Sequence, residues 1–183
     1  MGSWTIAEPV KGLFVYLEAS DRGLRQLSIG PPLPDADAAA RHDDHPVLRE
    51  ALLQLQEYFE GRRCQFDVPF DLEGTLFQKR VWQQLRRIPY GETRTYAEVA
   101  RLIGRPTAVR AVGRANGTNP VAIIVPCHRV LASSGGLGGY GAGLDVKRRL
   151  LMLEGAITSL LEPAADPASR AALEPGAAVP PDR

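Results

Sequence analysis

The stretch Thr95–Gly117, TYAEVARLIGRPTAVRAVGRANG, decides the fold. Tyr96, Val99, Ala100 and Ile103 fall at i, i+3, i+4 and i+7, the spacing of one apolar helix face. Thr95 stands where a helix N-cap is expected. Gly104-Arg105-Pro106-Thr107 reads as a tight turn, and a further helix is expected from about Ala108 to Asn116. Two short helices joined by a four-residue turn containing glycine form a helix-turn-helix. Val109 and Val112 face back toward the first helix, whereas Arg110, Gly113, Arg114 and Gly117 share the other side. A helical glycine costs about 1 kcal/mol relative to alanine, so two on one face need a reason. One reason is close approach of the helix backbone to a phosphate-sugar backbone, with arginine supplying charge and a flat group. The other is a tight helix crossing, with Gly117 as the C-cap.

Toward the C-terminus, Val121-Ala122-Ile123-Ile124-Val125 reads as a buried strand that Pro126 ends. Cys127 then falls where the chain changes direction, with His128 beside it. Buried cysteines are usually inert small hydrophobes. A histidine base beside a thiol at a strand end instead suits a reactive thiolate, with a water bridging the two where direct contact is poor. Next to a DNA-binding element, such a thiol suggests chemistry on DNA. After the glycine-rich loop Gly135–Gly141, a last helix places Leu150, Leu151 and Glu154 at i, i+1 and i+4. Glu154 is then either the carboxylate that orients His128 or a helix-terminal surface charge. Cys64, after Arg62-Arg63, fits no catalytic pattern and reads as structural.

Upstream, Thr75 is expected to cap a helix to about Arg87, with Phe77, Val81, Trp82 and Leu85 as its apolar stripe. Residues 4–29 read as strands, with a turn at Ser20–Gly23. Residues 30–40 read as a loop. Residues 46–59 read as a helix with Val47, Leu48, Leu52, Leu55 and Phe59 on one face. Phe66–Phe70 looks like a further strand. The first part offers no chemistry that can be named, and His42 and His45 read as a solvated helix entry rather than metal ligands. The expected fold class is α+β. A small N-terminal sheet-plus-helix domain (1–72) precedes a mainly helical C-terminal domain (73–157) with the helix-turn-helix and an active-site loop. A disordered tail (158–183), rich in Ala, Pro, Asp and Glu, follows.

Composition narrows the setting. The net charge of +1 hides an asymmetry: residues 75–155 hold 13 Lys/Arg against 4 Asp/Glu, net +9, and the remainder is net −8. On charge alone two readings stand side by side: nucleic acid as the simplest partner for the basic part, or a solvated basic face balanced by an acidic N-terminal domain. No run has the apolar length of a membrane span, and Met1-Gly2-Ser3-Trp4 lacks the pattern of a signal peptide. Two cysteines are too few for a disulfide framework, so a reducing, cytoplasmic setting is expected.

Several motifs together resemble the O6-alkylguanine-DNA alkyltransferases, also called methylated-DNA–protein-cysteine methyltransferases. They are Ile88-Pro89-Tyr90-Gly91, Arg110-Ala111-Val112-Gly113, Asn119-Pro120, Ile124–Val130 around Pro126-Cys127-His128-Arg129, Gly139-Tyr140-Gly141 and Leu150–Gly155. They cover about residues 75–155, in order and at matching separations; the N-terminal part is similar only loosely. The resemblance implies DNA repair by direct, irreversible, single-turnover transfer of an alkyl group from O6 of guanine to Cys127, with O4 of thymine an open second substrate. It implies catalytic roles for Cys127, His128, Glu154 and Asn119, the last bracing the turn before the active-site strand. Tyr96, the Val130 backbone, Tyr140 and Gly141 would surround the base. Arg110, Ala111, Gly113, Arg114, Ala115, Asn116 and Gly117 would meet double-stranded DNA through the minor groove, with Arg110 replacing a flipped nucleotide. The resemblance implies no cofactor and no structural zinc, because the family's Cys/His metal set is missing, and a monomer. Ala142 stands where the family usually has glycine. Three rivals are a non-enzymatic lesion binder, a helix-turn-helix regulator and a multiple-turnover cysteine hydrolase. Cys127 argues against the first two, and the Arg110/Gly113 face has no place in the third.

Overall fold

The computed structural model describes residues 3–31 and 44–158. His42, most of the 30–40 loop and nearly all of the 158–183 tail lie outside them. Three strands, β1 (Ser3–Val10), β2 (Leu13–Ser20) and β3 (Gly23–Gly30), form an antiparallel meander. In β2 the alternate residues Leu13, Val15, Leu17 and Ala19 are buried, the period of two of a sheet with one covered face. Leu17 sits opposite Thr5 on one side and Leu27 on the other.

Helix α1 (Pro46–Phe59) packs on this sheet, with Pro46 in its first turn. Its buried stripe is Leu48, Ala51, Gln54, Leu55 and Tyr58. That is rotated from the expected face: Val47, Leu52 and Phe59 are only partly buried. The rotation brings the Tyr58 hydroxyl to a buried acceptor. The expected strand at Phe66–Phe70 is absent; Phe70 makes one isolated parallel bridge to Leu24. Two causes are local. The Gln54 side chain binds both the N–H (2.8 Å) and the carbonyl (3.0 Å) of Asp67. Pro69 has no N–H to give a ladder, though its carbonyl accepts from Leu24 N at 2.8 Å.

The second part begins with α2 (Leu76–Leu85), whose Thr75 and Gln78 form a reciprocal capping box. A short strand β4 (Arg94–Thr95) leads into α3 (Tyr96–Leu102), which Thr95 and Glu98 cap in the same way. Helix α4 (Val109–Gly117) completes the helix-turn-helix. The Trp82 indole N–H donates to the Ala115 carbonyl at 2.8 Å, tying α2 to α4. Strand β5 (Val130–Leu131) pairs parallel with β4, and α5 (Leu144–Leu153) is the last helix among the described residues. The two parts share one apolar core, running from Val15 and Leu55 to Val99, Val112 and Val125. Backbone bonds from Leu27 N to Pro120 O (2.8 Å) and from Ala122 N to Leu27 O (2.9 Å) join β3 to the segment after α4.

Gly23 makes the approach of Pro69 possible. Its φ is 150°, and a Cβ there would lie 2.5 Å from the Pro69 carbonyl oxygen. We expect Gly23→Ala to lower the urea unfolding free energy by about 1 kcal/mol or more. An unchanged midpoint and slope would show that this contact is not needed.

Candidate functional site

Two consecutive tight turns present Cys127, so the expected strand over 121–125 is corrected. Only Val121 pairs, through a bridge to Leu27. Ile124 N then donates to Ala122 O at 2.8 Å, closing a γ-turn around Ile123, whose φ is +68°. A buried β-branched residue there is a strained exception. Cys127 N donates to Val125 O at 2.8 Å around Pro126 (φ −80°, ψ 64°), forming an inverse γ-turn. Cys127–Arg129 continues as one 3-10 turn. A continuous apolar run cannot stay extended here because Asn119 competes for its backbone. The Asn119 amide donates to Val125 O (2.7 Å) and Val121 O (3.3 Å), and its carbonyl accepts from Val121 N (3.1 Å). The same amide reaches Cys127 Sγ at 3.1 Å.

Behind the thiol lies a buried ionic cluster. His128, Arg129 and Glu154 are each at most 5% exposed. The surface-charge alternative for Glu154 is thereby excluded. His128 Nε2 lies 2.8 Å from Glu154 Oε1. Arg129 grips both carboxylate oxygens, at 2.7 and 2.8 Å, and donates to Ile88 O at 2.6 Å. The Tyr58 hydroxyl donates to Glu154 Oε1 at 2.6 Å. Burial alone would raise the Glu154 pKa, but hydrogen bonds from His128, Arg129 and Tyr58 bring it down to about 2. An ionised carboxylate only accepts, so the network assigns the proton to His128 Nε2 and leaves Nδ1 as an acceptor. Nδ1 is buried without a protein partner. Burial holds the His128 pKa below its usual 6.5. Burial also pushes the Cys127 thiol up, against the Asn119 hydrogen bond and the Lys147 charge.

Cys127 opens onto a cleft of about 720 Å³, large enough for a nucleobase. Tyr96, Gly113, Asn116, Asn119 and Tyr140 line it, and Leu27 and Ser28 of β3 form another wall. The N-terminal sheet therefore contributes to the site, contrary to the expectation that this part offers no chemistry. The Tyr140 hydroxyl and Asn116 Oδ1 are buried without protein partners. Gly138 has φ +68°, and a Cβ there would meet the Tyr96 ring at 3.0 Å, so the loop lies directly on that ring. Gly141 and Ala142 also border the cleft. Val130 is fully buried, and its carbonyl already accepts from Lys147 Nζ at 2.6 Å. Lys147 also donates to Leu137 O, which ties β5 to the loop. Burial lowers the Lys147 pKa to about 8. A larger cleft of about 830 Å³, lined by Glu8, Arg49 and Glu50, holds no nucleophile.

On α4, Arg110, Ala111, Arg114 and Gly117 are exposed, while Gly113 is half-buried and borders the cleft. A Cβ on Gly113 would meet only the Tyr96 ring, at 3.9 Å, so no tight helix crossing explains it. Gly117 is not a left-handed cap: the helix runs through it, and Thr118 is the C-cap. Ala115 and Asn116 face inward, and Asn116 Nδ2 donates to Cys127 O at 3.3 Å. Cys64 is an exposed free thiol, which corrects its reading as structural. No group of His, Cys, Asp and Glu suited to a metal occurs among the described residues, and no described helix is long and apolar enough to cross a membrane. Sequence reasoning missed Tyr58, Arg129 and Lys147. The available signal was chemical: a tyrosine on the sheet side of α1, or a cation beside an apolar strand, needs a buried partner.

Two family models match the chain. One, "6-O-methylguanine DNA methyltransferase, ribonuclease-like domain", covers residues 15–72. The other, "6-O-methylguanine DNA methyltransferase, DNA binding domain", covers residues 76–156. A methylated-DNA–protein-cysteine methyltransferase of Methanosarcina acetivorans is 58% identical over 62% of this chain and 72% of its own. A crystal structure of Mycobacterium tuberculosis O6-methylguanine methyltransferase superposes with a TM-score of 0.75 at 42% identity, over 87% of this chain and 96% of the other. A structure of Mycobacterium tuberculosis OGT in complex with DNA superposes at 0.69 with 44% identity, over 85% and 92%.

The ionic cluster sets the acid stability. Glu154, held at about 2 against 4.5, contributes stability that is present above 4.5 and lost as pH falls toward 2. His128, held below 6.5, resists protonation, so stability also declines as pH drops below 6.5. We expect the urea midpoint to fall steadily from pH 6.5 to pH 4; a constant midpoint would contradict this network. We also expect Asn119→Ala to cost about 1–3 kcal/mol and to slow thiol alkylation by a small haloacetamide at pH 8. An unaltered alkylation rate would remove Asn119 from the thiol's environment.

Proposed function

This chain belongs to the 6-O-methylguanine DNA methyltransferase family, and from that premise we propose that Cys127 is the acceptor for alkyl groups taken from O6 of guanine in DNA. The protein repairs DNA by alkyl transfer to cysteine. The observation that carries the assignment is a thiol on a cleft of nucleobase size, touched by Asn119 and followed by the buried His128–Glu154 pair. Cys127 is only 5% exposed, so a base stacked in a duplex is out of its reach. The target nucleotide must be extruded, at a cost of a few kcal/mol.

Helix α4 meets DNA through its exposed face. Arg110 enters the stack in place of the extruded base, while Ala111 and Gly117 allow close approach in the minor groove. Arg114 and the exposed Arg101 and Arg105 neutralise phosphates. Tyr96, Tyr140 and Gly141 surround the base, whereas the Val130 backbone, bound by Lys147 and Cys127, does not reach it.

Burial keeps Cys127 as a thiol at rest, so the reaction needs a base. Through one water, the thiol proton passes to His128 Nδ1, whose ring Glu154 holds. The sulfur electron pair forms the S–C bond to the alkyl carbon. The C–O6 bond breaks, its pair returns to the guanine ring, and the ring takes up a proton to become ordinary guanine. The thioether has no nearby nucleophile to reverse it, so each molecule acts once. DNA supplies the transferred group, so no cofactor is required.

Intact-mass measurement after mixing with a duplex carrying O6-methylguanine tests the assignment. We expect a gain of about 14 Da, the mass of one added CH₂, that saturates at one per molecule, maps to Cys127, and is lost in Cys127→Ser. A gain that persists in Cys127→Ser would contradict it. Arg110→Ala should slow transfer from the duplex at least about tenfold while leaving transfer from a free O6-alkylguanine base unchanged. Equal slowing on both substrates would remove Arg110 from base extrusion.

A further inference from the structure

We propose that Tyr58, on the N-terminal helix α1, is a positioning residue of the alkyl-transfer relay: its hydroxyl fixes the Glu154 carboxylate and, through it, the His128 ring. This rests on the roles of Cys127 and His128 proposed above. Tyr58 is fully buried and lies 96 residues from Glu154 in sequence. Glu154 Oε1 accepts from Tyr58 (2.6 Å), His128 Nε2 (2.8 Å) and Arg129 Nη2 (2.8 Å), and Oε2 accepts from Arg129 Nε (2.7 Å). Three of the four donors converge on Oε1, which is therefore the more crowded oxygen, and Oε2 takes one.

Each donor constrains a different motion. Arg129 binds as a planar fork and sets the carboxylate plane. His128 is the group being positioned. Tyr58 approaches from another element and opposes any tilt of Oε1 away from the imidazole. The tyrosine is itself held rigidly. Its ring packs at 5.2 Å from Phe59, 5.4 Å from Phe66 and 6.0 Å from Tyr90. The Tyr90 hydroxyl anchors Leu153 O at 2.9 Å, one residue before Glu154. The N-terminal part thus supplies one contact to the relay and one wall of the cleft, and the reactive segment depends on both.

Tyr58→Phe removes the O–H and keeps the ring. We expect a folded protein with unchanged duplex affinity and a single-turnover transfer rate about tenfold lower, the size of one lost charge-assisted hydrogen bond. The acid limb of the pH–rate profile should move to higher pH. With one donor fewer, the Glu154 charge acts more strongly on His128 and favours its protonation. The other charged and titratable groups around the cluster, Arg129, Lys147, Cys127, Tyr90 and Tyr140, are the same in both proteins. In a Glu154→Gln background, Tyr58→Phe should add no further loss. Wild-type rate and acid limb in Tyr58→Phe would overturn the proposal. So would a rate loss that tracks a lower melting temperature while the acid limb stays in place. Failure of the underlying reading shows separately, as methyl transfer that survives Cys127→Ser.

Discussion

A single buried carboxylate holds the functional half of this molecule in register. Glu154 caps α5, yet its charge points inward and accepts four hydrogen bonds from Tyr58, His128 and Arg129. Removing a charge from water is costly, and a buried ion pair is weak evidence for net stability. Its value is geometric. The cost is offset best when every donor is in place, so one arrangement of α1, the Cys127–Arg129 turn and the end of α5 is favoured. Loss of Arg129, the cation of the group, would leave an uncompensated charge in the core.

The thiol depends on the same constraint. Burial raises its pKa, and the Asn119 amide and the Lys147 charge offset this only in part. Cys127 therefore differs from cysteines kept as thiolates by neighbouring cations. A thiol that stays protonated until a base is at hand is protected from adventitious chemistry, but in the proposed reaction it requires a neutral, oriented imidazole at the moment of attack. Burial keeps His128 neutral, and Glu154 sets its tautomer. The two γ-turns and the amide of Asn119 hold the sulfur at the cleft. The proposed nucleophile, base and orienting carboxylate lie on a short run of chain and one distant helix end, so their geometry is fixed by folding itself.

Local chemistry made part of this legible in the sequence. Thr75 and Thr95 announced their helices because a capping box lies within four residues, and both boxes form. The Val99/Ala100 and Val112 faces followed from period alone, and the strands of the N-terminal sheet from composition and the turn at Ser20–Gly23. The errors arose where a side chain's hydrogen bonds, near or distant, decide the backbone path or the buried face. Val121–Val125 has strand composition, but the Asn119 side chain takes its carbonyls. Phe66–Phe70 has strand composition too, but the Gln54 side chain takes the backbone of Asp67. The stripe of α1 was placed one step off because Tyr58 turns inward for an acceptor 96 residues away. Arg129 entered only as part of a motif and Lys147 not at all; neither spacing reveals a buried carbonyl or carboxylate. The role of Glu154 was left open for the same reason, since spacing placed it at the edge of an apolar face and only the fold supplies its partners.

The most direct test of this arrangement is the protonation state of His128, read by ¹⁵N NMR of histidine-labelled protein. The chain has three histidines, so His128 can be assigned by comparison with a His128→Asn variant. The buried network requires a neutral ring between pH 6.5 and 8, with the proton on Nε2 and Nδ1 as a bare acceptor. A ring protonated on Nδ1 alone, or an imidazolium across that range, would contradict it.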